Sequence, residues 1–461
     1  MQPAMEPARN TRNHRLVAAI AEAGLSYTAL AASVRAVAAE NGAYLRTNSA
    51  AITHWVRGTP PQPATAAYLA EALSRRIGRL ITPADLGLGS PEDIPAATGD
   101  PVADLAELGR MDVDRRGFLG NLVFRLPAAM AVPAPGHAAL APPLSERAQA
   151  AWRGGTIGIA EVHTVRDILA AFTRADERLG GRVGRSTIAE YLASDATAYL
   201  RGRFANQAVR DQMFAAVAEL ARLAGFKAHD AGHEGLAQRY YQHAWHLAST
   251  ADDTHAAFIL RLMAHQAIDL GHGRHCVDLA ESALTTARGR VDSATLGQLH
   301  LAVARTRAAR GDARAARRAL TTSERCIAAA PTERPWWAGA MGDPSALLAT
   351  HTAKALRALG DAAVDEHMWE SIRRWNPTTH PRVRALNMCD LGELYAERGH
   401  IEPACEIWAD ALHLLHGVDS ARAHNAVRAI RTALSPYRQR GITDATRVDA
   451  MAARWQQNST R

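Results

Sequence analysis

Five glycines, Gly232, Gly271, Gly311, Gly360 and Gly399, stand 39, 40, 49 and 39 residues apart in similar surroundings. The fullest copy reads Leu391-Gly392-x-x-Tyr395-x-x-x-Gly399-x-x-x-x-Ala404-x-x-x-Trp408-x-x-Ala411. A small residue before the turn lets two helices approach, glycine takes the left-handed conformation that reverses the chain, and Ala with a large aromatic interlocks on the second helix. The same spacing recurs at Gly225, Gly232, Ala237, Tyr241 and Ala244, and more weakly at Ala264, Gly271, Cys276, Ala280 and Ala283. Two further copies run through Ala304, Gly311, Ala316 and Leu320, and through Ala353, Gly360 and Trp369. A unit of this size cannot bury its apolar face alone, so consecutive units stack into a solenoid. The 49-residue spacing carries the proline-bearing stretch 331–344. A non-repeating bundle is the alternative, and five turns in register weigh against it. With 48% apolar residues, 5% aromatics and abundant Ala, the composition predicts an all-α fold.

At 461 residues the chain is long enough for two or three units. Its net charge of +7 is uneven: residues 1–80 hold nine Arg against four Glu, leaving the rest nearly neutral. A basic head on a neutral body suits a nucleic-acid-binding domain joined to something else. Only two lysines occur, Lys227 and Lys354, so the arginine excess also fits a GC-rich coding sequence. The predicted organisation is a tip at 1–10, a head at 11–88, a Pro/Gly/Ala-rich linker at 89–156 with one helix over 112–130, repeats at 157–440 and a closing helix and tail at 441–461. Such a linker leaves the two folded parts mechanically separate.

Within the head, helices are predicted over 13–23, ended by Gly24, over 26–40 behind a Ser26 cap, over 49–57 and over 65–77, ended by Gly78. Thr82-Pro83-Ala84-Asp85 predicts a fifth helix start. The third helix has the pattern of a DNA-reading helix. Ile52 and Trp55 anchor it, while Asn48, Ser49, Ala50, Thr53 and His54 offer small or polar groups to base edges and Arg57 can reach a phosphate. A protein-interaction domain shares this apolar pattern and remains the alternative.

The glycine-centred repeat closely matches the tetratricopeptide pattern. The stretch ITHWVRGTPPQP resembles the recognition-helix region of the phage-repressor-like (XRE) helix-turn-helix class. Together with RYYQHAWHLA and AELARLAGFKAHDAG, it is similar to a large family of actinobacterial regulators with C-terminal tetratricopeptide repeats. Two departures stand out: residues 41–47 separate the second and third helices where the motif has a tight turn, and Val56 stands where an acidic residue is common. The resemblance implies transcriptional control through double-stranded DNA, and a repressor-like head implies a homodimer.

With Ala218, Ala257, Gly297, Ala346 and Ala385 as first repeat positions, the register places Arg222, Phe226, His229, Arg261, His265, Arg305, Lys354 and Arg357 along the concave groove, with Phe258 beside them. A row of cations on one face is what an anionic peptide or small carboxylate needs. The plain alternative is that Asp230 and Asp269 neutralise this face.

His229 and His233 could pair on a metal across a turn, but the ordinary satisfied or exposed histidine is the stronger reading, and no metal site or cofactor is predicted. Cys276, Cys326, Cys389 and Cys405 form no CxxC pair, and nucleophile, phosphate-loop and zinc-protease motifs are missing, so the expectation is a non-enzyme. No apolar run approaches the ~20 residues of a membrane helix. Arg115-Arg116 resembles a twin-arginine signal but follows 110 residues of folding sequence, which favours a cytoplasmic protein over an exported one. The rival to a regulator is an interaction scaffold whose head does not touch DNA.

Overall fold

The computed structural model describes residues 12–41, 43–88, 100–113, 122–126, 156–329, 334–339 and 342–459. Four helices form the head: α1 (His14–Ala23), α2 (Tyr27–Glu40), α3 (Ser49–Val56) and α4 (Pro63–Ile77). Their starts are chemically determined, because the side chains of Asn13, Ser26 and Asn48 accept the backbone N–H of Leu16, Ala29 and Ala51. Leu16, Ile20, Leu30, Val34, Ile52, Trp55, Leu69 and Leu73 interlock as its core. The expected fifth helix is a turn. Thr82 and Asp85 do exchange capping hydrogen bonds, with Thr82 N to Asp85 Oδ2 at 2.8 Å and Asp85 N to Thr82 Oγ1 at 3.2 Å. Gly87, at φ +67°, then ends the coil after a single turn.

Beyond the head, the regular elements among the described residues are helices, apart from a two-residue parallel bridge between β1 (Thr156–Ile157) and β2 (Arg203–Phe204). Helix α5 (Pro101–Val113) precedes α6 (Ile159–Leu179), α7 (Arg185–Tyr191) and α8 (Thr197–Leu200). Then come the pairs α9 (Gln207–Asp230) with α10 (Glu234–Ala251), α11 (Asp253–Asp269) with α12 (Val277–Ala287), and α13 (Ser293–Ala309) with α14 (Ala313–Ala328). The short α15 (Trp336–Gly339) leads to α16 (Pro344–Ala358) with α17 (Val364–Arg374), α18 (Pro381–Glu397) with α19 (Ile401–Leu414), and α20 (Ala421–Gln439) with α21 (Thr443–Ser459). The all-α expectation holds. Each of the five spaced glycines turns the chain inside a pair, at φ between +66° and +84°. At Gly392 a Cβ would run into the Trp408 indole, so the two helices meet backbone to ring. The fourth turn is one residue tighter than the spacing predicts: Val364 and Met368 are buried, while Trp369 is 37% exposed.

The stack, expected as a solenoid with a concave groove, closes on itself. Asp419, before α20, donates its N–H to Leu179 O at the end of α6 (2.8 Å). Arg382 of α18 bridges Asp176 of α6 (2.7 Å) and Asp230 of α9 (2.8 Å), and Asp230 also accepts from Gly181 N and Ser420 Oγ. Burial alone would raise the Asp230 carboxyl, but Arg382, Arg422 and these hydrogen bonds hold it below the ordinary value. First and last helices therefore share one buried polar knot.

The predicted helix over 112–130 is also corrected. The helix lies at 101–113 and belongs to the repeat core, where Val102, Leu105 and Leu108 are buried and Asp112 meets Arg185 and Tyr240. Residues 122–125 have no regular secondary structure and Leu126 is helical, and they join head to repeats instead of separating them; 114–121, with the arginine pair, and 127–130 lie outside the described residues. Leu122 packs in the repeat core, Val123 in the head core, and Phe124 with Leu126 against Ala267 and Cys276. Both sides also serve this strap's backbone: Arg125 N–H donates to Gln238 Oε1 and Gln238 Nε2 returns a bond to Arg125 O, both at 2.8 Å, while Leu126 N donates to Glu71 (2.9 Å). A Cβ at Gly235 would overlap the backbone of Leu122 and Val123. Among the described residues no single helix is long and apolar enough to cross a membrane.

Candidate functional site

The helical period of α3 sorts its residues by environment. Ile52, Trp55 and Val56 point into the head core, and Asn48, Ser49, Ala50, His54 and Arg57 are exposed. Val56 has no room for the acidic residue that the resemblance would place there, since it is 6% exposed. Two of the six anticipated contact residues already have local duties: Asn48 Oδ1 accepts from Ala51 N (3.0 Å), and the half-buried Thr53 donates its hydroxyl to Ser49 O (3.0 Å). The long connection before α3 is held by Arg35 Nη1, which donates to Thr47 O at 2.5 Å. Two cations that the sequence reading passed over complete the face. Arg46 lies two residues before the Asn48 cap, and Arg12 precedes Asn13, whose N–H donates to Val56 O (2.8 Å) at the other end of α3. Arg12, Arg46 and Arg57 are exposed and in no ion pair among the described residues, and only the regional charge excess signalled them. The head docks on the repeats through a different side, where Arg75 of α4 pairs with Glu40 (2.8 Å) and His272 approaches Glu40 (3.4 Å) while stacking on Phe124.

The repeat register brings the anticipated groove residues together, but in a buried setting. The expected open strip is corrected: Arg222, Arg261, His265 and Arg305 are 2%, 1%, 9% and 8% exposed, because the closed stack turns its concave face inward. Carboxylates neutralise most of it. Arg222 pairs with Glu219 (2.6 Å), Arg305 with Asp269 (3.2 Å), Lys354 with Asp390 (3.9 Å), and Arg357 with Glu393 (2.8 Å) and Glu397 (3.0 Å). Asp269 thus plays the neutralising part considered for it, whereas Asp230 serves the closure knot. His229 lies between Glu234 (2.8 Å) and Asp269 (3.6 Å); burial opposes its charge, but the two carboxylates raise it to about 9. His265 behaves oppositely, since burial and then Arg305 and Arg261 push it well below its ordinary value. Phe226 is half-buried beneath the Arg382 guanidinium, 5.5 Å from its ring.

Sequence reasoning missed what closes the inner face. From the 331–344 stretch, α15 folds back so that Trp337 stacks on His255 (4.8 Å) and meets Phe258 (5.2 Å), while Arg166 covers Trp336 at 4.2 Å. Arg422 of α20 and His351 of α16 also look inward: His351 meets His265 at 4.5 Å, and the charge of Arg422 acts on Asp269, His229 and Lys354. No group of three His, Cys, Asp or Glu among the described residues could hold a metal ion.

A family model described as the SP15 N-terminal domain matches residues 16–89, which is the head from α1 through the turn that follows α4. No curated protein and no solved structure matches the chain.

Proposed function

We propose that this chain is a DNA-binding transcription regulator, with an XRE-like helix-turn-helix head that reads duplex DNA and tetratricopeptide-like repeats that sense a ligand or partner and hold two copies together. The observation that carries this reading is the face of α3, where Ser49, Ala50 and His54 are exposed between Arg46 at one end and Arg12 and Arg57 at the other. An eight-residue helix is about 12 Å long and fits the major groove, where small residues permit close approach and cations meet phosphates on both rims. The docking side of the head is elsewhere, so α3 can meet DNA with the strap in place. The proposed setting is the cytoplasm, with no catalytic role.

The test is selection of bound duplexes from a random library by the full-length protein. One enriched motif is the expected result, and His54→Ala should change base preference within it, at ~1–3 kcal/mol per lost base contact. The second reading, an interaction scaffold, draws on the clamped head, which Phe124 and the Gln238 amide tie to the repeats. It gains the ground if no duplex is enriched.

A further inference from the structure

Arg261 of α11 is 1% exposed, yet among the described residues no carboxylate lies within ion-pair distance of it. Its guanidinium rests 4.3 Å over the Phe258 ring, and its Nε and Nη2 have no hydrogen-bond partner. Those two nitrogens form the edge with which an arginine grips two oxygens at once. The same edge is engaged on the surface of this protein, where Arg79 Nε and Nη2 donate to the two oxygens of Glu22 at 3.3 and 2.8 Å.

The neighbourhood supplies more donors than acceptors. Arg222, whose charge acts on Arg261, spends Nε on Glu219 and leaves Nη2 unpartnered. Glu219, the carboxylate whose charge reaches Arg261, is already shared by Arg222 (2.6 Å) and His255 (2.8 Å). Burial, with the Arg222 charge beside it, pushes the Arg261 guanidinium down to about 9. A buried guanidinium without a counter-charge is strongly unfavourable, and a protein that merely needed bulk here would carry an apolar side chain. Phe258 lies under the guanidinium, and Trp337 of α15 packs on both Phe258 and His255.

We infer that Arg261, with Arg222, forms a receptor inside the closed ring of helices for a small oxyanion, a carboxylate or phosphate group. This deepens the sensing role proposed above and rests on it for its purpose, but its test reads anion binding alone. Full-length protein in Tris–chloride buffer would be titrated calorimetrically with inorganic phosphate and, separately, with succinate. Saturable binding of either is expected, the preferred probe telling a phosphate-bearing ligand from a carboxylate. Arg261→Lys, which keeps the charge and loses the two-donor edge, should weaken it at least tenfold, and Arg261→Met should abolish it. Without anion, Arg261→Met should melt at or above the parent temperature, whereas a structural arginine would lower it. If Arg261→Met does not fold, the parent and Arg261→Lys titrations decide. No saturable binding by the parent, or binding unchanged in Arg261→Lys, overturns the inference. A protein that binds the anion but no duplex keeps this receptor and loses the regulator; one that binds duplex but neither probe does the reverse.

Discussion

Arginine plays opposite parts in the head and in the repeats. Around α3, Arg12, Arg46 and Arg57 are exposed and in no ion pair among the described residues, which costs little because solvent satisfies the charge. Inside the ring, Arg222, Arg305 and Arg382 are buried and each meets a carboxylate, which offsets the cost of taking a charge out of water, and Arg261 is the exception. The difference teaches that arginine identity and repeat position say little about role until exposure is known. Free charge outside suits a polyanionic partner, and matched charge inside suits closure.

That contrast can be tested first at Arg382, whose loss leaves Asp176 and Asp230 buried without their bridge. Arg382→Met should cost about 3–5 kcal/mol in urea unfolding; a loss below about 1 kcal/mol would mean that the ring does not depend on the knot. Phe124→Ala removes a fully buried ring between head and repeats and should cost about 3 kcal/mol, read as faster proteolytic release of residues 12–88. An unchanged cleavage rate would show that the strap does not couple the two parts.

His229 gives the pH arm. Its folded pKa of about 9 exceeds the unfolded value, so its contribution is complete below about pH 6.5 and disappears as pH rises through 9. About 3 kcal/mol of stability should fade over that window, and His229→Gln should flatten the profile; a parallel profile in the variant would assign the loss to other groups. Smallest is the surface change: Arg57→Ala should weaken duplex binding by about 1 kcal/mol across all sequences and lower the salt slope by about one. A sequence-dependent loss would make Arg57 a base reader.

Local chemistry was legible from the chain. Turn glycines, the Ser26 cap and the alternation of Ile52 and Trp55 with Ser49 and His54 all act within a few residues, which is the range that periodicity reports. Arg222, Arg261 and Arg305, which the register set on one groove, are all buried. Closure was hidden because it joins residues such as Asp176 and Arg382, or Asp230 and Ser420, which no local pattern relates. The strap was hidden differently: Leu122 to Leu126 is a short apolar run inside a Pro- and Gly-rich stretch, and its partners Asn41, Glu71 and Gln238 lie far away in sequence. The fifth head helix failed on one residue, because Gly87 ends what Thr82 and Asp85 begin.

The most direct measurement is the affinity of the full-length protein for a fluorescent DNA duplex across a range of salt concentrations. If α3 and its flanking arginines face phosphates, log affinity should fall linearly with log salt, with a slope near −0.9 for each phosphate neutralised and roughly three from Arg12, Arg46 and Arg57. The triple change of these arginines to Ala should remove that slope while the melting temperature stays put. Binding that ignores salt, or no binding even at low salt, would contradict a DNA-reading head.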